Sequence, residues 1–167
     1  DFSNMHTAMF HLTGWFDMEK DRTIEHYLKA MRECDAYTRL RQKLIIGPWG
    51  HGGALSTIFE GYDFGEENSG ERQQIRLKML EWFDWHLKGK AFKDSKCVRY
   101  FIMGKNEWHE DAHWPPENTV QTDWYLGGGA RLYENAPEIE TASARYLYNP
   151  DRPYPSQFQD QEGKEIF

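Results

Sequence analysis

The hydrophobic positions of this chain change rhythm near residue 90. Before it, short apolar runs alternate with stretches of helical spacing; after it, brief aromatic-rich runs alternate with clusters of Pro, Gly and Asn. Met5-His6-Thr7-Ala8-Met9-Phe10-His11-Leu12 mixes alternation with a continuous apolar run and predicts a strand over 5–13. Ile24, Tyr27, Leu28, Met31 and Cys34 recur at helical spacing and predict a helix over 22–36, with Asp21 or Thr23 able to cap its start. Leu44-Ile45-Ile46 has the length and composition of a strand covered on both faces. The Gly47-Pro48 break then opens a stretch over 47–68 punctuated by Gly50, Gly52, Gly53, Gly61 and Gly65, which predicts a long surface loop. Ser69 caps the clearest helix, 70–88, whose apolar stripe is Ile75, Met79, Leu80, Trp82, Phe83 and Leu87, and Gly89 closes it.

Beyond Lys93 the texture is that of short strands. Val98–Met103, Thr122–Leu126, Arg131–Tyr133 and Ala144–Tyr148 are separated by turn-forming clusters, the pattern of an all-β sandwich. The segment Lys90–Lys96 is the natural join. The expected class is therefore α/β followed by all-β, with residues 1–92 in the first part and 93–167 in the second.

Composition narrows the function classes. Of 167 residues, 39% are hydrophobic and 16% aromatic, enough for a packed core. A formal net charge of −7 argues against a nucleic-acid footprint, which needs a clustered basic face. No apolar run approaches the roughly 20 residues that span a bilayer. The chain begins at Asp1, not Met, and carries no leader pattern, so the sequence leaves its compartment open. Cys34 and Cys97 supply neither a disulfide framework nor a zinc site, and read as unpaired, partly buried thiols.

Two residues stand where sheet chemistry is done. Gly14-Trp15-Phe16-Asp17 delivers an aspartate just past the first strand, and Gly47-Pro48-Trp49-Gly50-His51 delivers a histidine just past the second. They are 34 residues apart, room for one crossover helix between parallel strands. In open α/β sheets the carboxyl ends of the strands form the working crevice. An acid followed by a histidine, each on a post-strand loop, is the second half of a Ser…Asp…His order. By spacing alone the two could equally be a helix-capping aspartate and an ordinary loop histidine.

Five stretches, in order, carry a resemblance that favours the first reading. They are Gly14–Asp17, Ile46–His51, the helix end Trp82–Gly89, Met103–Trp108 with Trp114-Pro115, and Tyr148–Pro155. Together they resemble the X-Pro dipeptidyl-peptidase-like (CocE/NonD) hydrolases, a family that includes cocaine esterase, α-amino acid ester hydrolases and glutaryl acylases. The resemblance implies the C-terminal part of an α/β-hydrolase core followed by part of a jelly-roll β-sandwich. It implies Asp17 as the acid and His51 as the base of a catalytic triad acting on a small ester, amide or short peptide. It implies no metal and no organic cofactor. Phe16 replaces the family's usual tyrosine, and Asn149-Pro150 replaces the commoner Asp-Pro. No serine in the chain sits in a Gly-x-Ser elbow, and only Ser3 precedes Asp17. The nucleophile and oxyanion donors are therefore expected from a segment upstream, leaving this chain inactive alone. The rival reading is a β-sandwich binding module on a degenerate, non-catalytic scaffold.

His109-Glu110-Asp111-Ala112-His113 spells the zinc-protease pattern His-Glu-x-x-His. That pattern works only on a helix, which brings its two histidines together. Trp114-Pro115-Pro116 follows at once, and a residue before proline is pushed away from helical geometry. A polar loop between two strands is the expectation here. His6 and His11 make a poor ligand pair, His26 and His86 read as surface or edge residues, and the tryptophans and tyrosines read mainly as packing.

Overall fold

The computed structural model describes residues 2–52, 56–59, 62–92, 96–128, 131–136 and 145–151. Its centre is a four-stranded sheet in the order β1-β2-β5-β6, from β1 (Met9–Phe16), β2 (Gln42–Gly50), β5 (Val98–Ile102) and β6 (Glu107–Asp111). The first three are parallel and β6 returns antiparallel, so the sheet is mixed. Between β1 and β2 lie α1 (Lys20–Glu33) and the single turn α2 (Ala36–Arg39). Between β2 and β5 lie a small hairpin of β3 (Ile58–Phe59) and β4 (Tyr62–Asp63), a 3-10 turn at Glu66–Asn68, and α3 (Ile75–Lys88). A separate ribbon of β7 (Tyr125–Gly127) and β8 (Arg131–Tyr133) follows.

The period of two along β2 sorts its side chains between two cores. Leu44 and Ile46 pack with Tyr27 and Val98, and with Ile24, Leu28 and Met31 of α1. Ile45 and Trp49 pack on the opposite face with Ile75 and Met79 of α3, and with Phe10, Leu12 and Trp108. A strand buried on both faces needs the near-continuous apolar run that 44–46 supplies. Leu44, Ile45, Ile46, Val98 and Phe101 have no exposed surface at all.

Several elements depart from the sequence expectation, each for a physical reason. The first strand runs from Met9 to Phe16 instead of 5–13, because its ladder to β2 extends to Phe16 opposite Gly50. The second strand does not stop at Gly47-Pro48 but continues to Gly50. Beyond Ile46 it has left β5 behind and has only β1 as neighbour, the situation in which a strand tolerates a residue without an N–H. Helix α1 starts at Lys20, with neither Asp21 nor Thr23 as its cap. Residues 70–74 are turns, and α3 begins at Ile75. Gly89 closes α3 as expected, at φ 66°, its N–H on the Trp85 carbonyl. Of the expected α3 stripe, Ile75, Met79 and Trp82 face the core, whereas Leu80, Phe83 and Leu87 are exposed.

Val98–Met103, expected from texture as a short strand, does form one. Its residues 98–102 are β5, which pairs in parallel with Leu44–Ile46 and so continues the sheet of β1 and β2 across the expected join. Of the stretch expected as a polar loop, His109–Asp111 belong to β6, which is turned back through Gly104 and Asn106, both at positive φ, while Ala112 and His113 lie beyond it. His109 therefore sits on a strand, not a helix. The expected strand over Thr122–Leu126 is displaced to β7, and Arg131–Tyr133 is β8. Residues 145–148 form no strand, and Ala144 lies outside the described residues. No helix of the described residues is long and apolar enough to cross a membrane.

Candidate active site

Both motif ends arrive at the carboxyl side of neighbouring parallel strands because β1 and β2 touch backbone to backbone there. Gly14 and Gly47 are register partners. A Cβ on Gly14 would stand 2.0 Å from the Trp49 carbonyl oxygen, and one on Gly47 would stand 2.3 Å from the Trp49 indole. Only glycine at these two places lets the strands approach while the indole folds back beneath β2. The ladder then shifts register between Gly14 and Phe16, so that Phe16 stands opposite Gly50. The Asp17 N–H donates to the Gly14 carbonyl at 3.0 Å, a tight turn that fixes where the carboxylate emerges.

The two side chains meet. His51 Nδ1 lies 2.9 Å from Asp17 Oδ1. An ionised carboxylate can only accept, so Nδ1 carries the hydrogen and Nε2 keeps its lone pair outward. The same Oδ1 accepts from the Glu19 N–H at 2.9 Å, and the Thr13 hydroxyl donates to Oδ2 at a long 3.5 Å. Asp17 thus holds the turn before α1 and orients His51 at once, although the N-cap of α1 itself is Glu19. Its side chain is 15% exposed, against 62% for His51. The hydrogen bond to Asp17, and then the charge of that carboxylate, push the His51 pKa above the ordinary histidine value. The arrangement can hold an imidazole in one tautomer and stabilise it when it takes a proton.

Other sequence candidates fall elsewhere. His109 faces Glu107 on β6 at 3.4 Å and His113 faces Glu117 at 3.8 Å, a strand geometry that does not make the helical His-Glu-x-x-His site. No group of three or more metal-ligating side chains occurs among the described residues. Ser56 bonds the backbone of Ile58, and Ser69 accepts from the Arg72 N–H; Ser95, Ser143 and Ser156 lie outside the described residues. Cys34 is a buried free thiol whose Sγ donates to the Phe2 carbonyl, and Cys97 is free and half-buried. His86 is half-buried, wedged between Trp82 and Trp85. His11 is buried against Tyr27 and bonded to Gln42, and burial lowers its pKa. A cleft lined by Arg41, Lys43, Trp82, Trp85 and Phe92 opens at the amino end of β2, the opposite end of the strand from Asp17 and His51.

Behind His51 the structure reveals a support that the sequence did not announce. Trp49 Nε1 donates to the Asn68 carbonyl at 2.8 Å, and Trp108 Nε1 donates to Asn68 Oδ1 at 2.9 Å. The two indoles lie 5.5 Å apart. Trp15, from the first motif, donates to the Phe101 carbonyl at 2.7 Å and so ties β1 to β5 across β2.

Comparison with known proteins gives the relatives of this chain. Residues 90–165 match the model of the X-Pro dipeptidyl-peptidase C-terminal non-catalytic domain. The chain is 30% identical over 154 residues to cocaine esterase from Rhodococcus sp. (strain MB1 Bresler), a match covering 86% of this chain. These two matches support the X-Pro dipeptidyl-peptidase-like (CocE/NonD) family for this chain. The chain corresponds to the C-terminal region of that family and spans about a quarter of its relatives, 25% of the cocaine esterase. An aminopeptidase from the marine sediment archaeon Thaumarchaeota archaeon superimposes with a TM-score of 0.68 at 25% identity, over 89% of this chain and 24% of its own. An α-amino acid ester hydrolase shares the fold with a TM-score of 0.61 at 21% identity, over 89% of this chain and 25% of its own. The family resemblance carried by the five motifs is thereby met.

Proposed function

We propose that this chain is the acid–base portion of a serine hydrolase acting on small esters, amides or short peptides. The observation that carries the reading is the 2.9 Å contact between His51 Nδ1 and Asp17 Oδ1 at the carboxyl ends of adjacent parallel strands. In this reading His51 Nε2 takes the proton of a serine hydroxyl as it attacks the scissile carbonyl. It then returns that proton to the leaving group; water, activated the same way, releases the acyl-enzyme. Asp17 stays ionised and holds the imidazole. The serine and the oxyanion donors would come from a segment preceding Asp1, and neither metal nor organic cofactor takes part. Relatives described as an esterase, an aminopeptidase and an amino acid ester hydrolase support the substrate class.

We further propose that residues 1–92 are the last part of an α/β-hydrolase core and that 93–167 begin a jelly-roll sandwich, with β5 and β6 carrying the core sheet across the join. Two features support a larger core. β1 is an edge strand of a largely parallel sheet, and parallel sheets are ordinarily covered on all sides. Leu80, Phe83 and Leu87 form a second apolar stripe on α3 that faces solvent, 56%, 46% and 77% exposed. The alternative is a binding module on a degenerate scaffold. It draws on the non-catalytic description matched by residues 90–165, but leaves the Asp17–His51 contact without a use.

Steady-state kinetics on the complete protein test the proposal, with an activated ester and an X-Pro anilide as substrates. His51→Ala should abolish the chemical step, and Asp17→Asn should reduce kcat by on the order of 10⁴, the loss known where the wrong tautomer is favoured. Near-normal turnover by either variant would refute the assignment.

A further inference from the structure

Asn68 gathers more hydrogen bonds than any role in the turn it ends would need. It is 5% exposed. Its N–H donates to the Gly65 carbonyl at 3.0 Å, and its Nδ2 donates to the Phe64 carbonyl at 2.6 Å and to Glu67 Oε1 at 3.4 Å. Those bonds close the turn. Its two acceptors point away, the carbonyl to Trp49 Nε1 and Oδ1 to Trp108 Nε1. The residue thus needs a donor and an acceptor on one short side chain. Aspartate lacks the donor, and an apolar residue lacks both.

The consequence lies two residues beyond Trp49, at His51. The Trp49 carbonyl rests against Gly14, and the Gly14 carbonyl accepts the Asp17 N–H. Acid and base therefore leave the sheet from a single crossing of β1 and β2. Trp49 pins that crossing from below, and its indole is fixed by the Asn68 backbone carbonyl, which the Asn68 side chain holds in place through its bonds to the Phe64 carbonyl and Trp108. We propose that Asn68 is a positioning residue for the acid–base pair, setting through Trp49 the place from which His51 reaches Asp17. It touches neither member of the pair. The catalytic part of this inference rests on the hydrolase reading; the geometric part does not.

The test is the NMR titration of the His51 imidazole in this chain, with kinetics on the complete protein beside it. In the parent, His51 should titrate above ordinary histidine, and Asp17→Asn should bring it back to the ordinary range. Asn68→Ala should move it part of that way, and Trp108→Phe, which keeps the ring and deletes only the N–H, should move it less and in the same direction. In the complete protein Asn68→Ala should lower kcat by on the order of 10²-fold, the effect of a misplacement of about 1 Å, with KM little changed. If Asn68→Ala fails to fold, Trp108→Phe decides. An unmoved His51 titration in the folded variants would overturn the positioning role, as would an Asp17→Asn variant with no effect on it. Should His51→Ala keep its activity, the hydrolase reading falls, and the titrations still judge Asn68.

Discussion

Gly14→Ala offers a severe test of the way the site is built. The added methyl would meet the Trp49 carbonyl oxygen at 2.0 Å, its carbon at 2.5 Å and its Cα at 2.8 Å. Ordinary contact begins near 3.4 Å, so the deficit at the oxygen is about 1.4 Å. All three atoms are backbone, in a strand buried along nearly its whole length, so no side chain can swing aside. The strands must part, or β1 must slide. Over-packing of this kind destabilises by about 1–3 kcal/mol. For a chain of this size that is roughly 2–12 °C in Tm. A comparable displacement would stretch the 2.9 Å His51–Asp17 contact to about 4 Å, outside the 2.7–3.2 Å of a working N–H···O bond. Thermal unfolding and the His51 titration read the two effects separately. Gly128→Ala is the control, since a Cβ there meets nothing within 4 Å. A Gly14→Ala protein as stable as Gly128→Ala, with His51 titrating as in the parent, would refute the claim that the crossing of β1 and β2 sets the pair.

Two further outcomes follow from the same geometry. The raised His51 pKa means that its contact with Asp17 contributes stability in full below the unfolded value near 6.5, and loses it as pH rises through the higher folded value; denaturant melts of the parent and Asp17→Asn should therefore differ most in mild acid and converge above that range, whereas a pH-independent difference would remove the ion-pair explanation. The chain alone, lacking a serine in an elbow, should neither hydrolyse p-nitrophenyl esters nor be labelled by a fluorophosphonate probe, and stoichiometric labelling of any of its serines would overturn the proposed upstream nucleophile.

Local pattern determined much of this molecule. The alternation of Leu44 and Ile46 against Ile45 wrote a two-faced strand, and the spacing of Ile24, Tyr27, Leu28 and Met31 wrote the helix on one face. Gly89 wrote the end of α3. These follow from side-chain periodicity and backbone sterics, which act over a few residues and so remain visible in one dimension. The family's motifs drew attention to Asp17 and His51, though spacing alone could not separate a cap from a catalytic acid. Long-range pairing decided the rest. Val98–Ile102 reads as a sandwich strand in isolation, and only the empty side of β2, more than 50 residues earlier, recruits it into the sheet. Pro48 looks like a stop until the loss of β5 as neighbour makes it harmless. Leu80, Phe83 and Leu87 look like core until the packing surface runs out. Asn68 carries no signal in its own neighbourhood, because its two tryptophan partners come from positions 49 and 108 and meet only when β2 and β6 are laid into one sheet. Sequence fixes what each segment can become, while burial and hydrogen-bond satisfaction across the sheet select its neighbours.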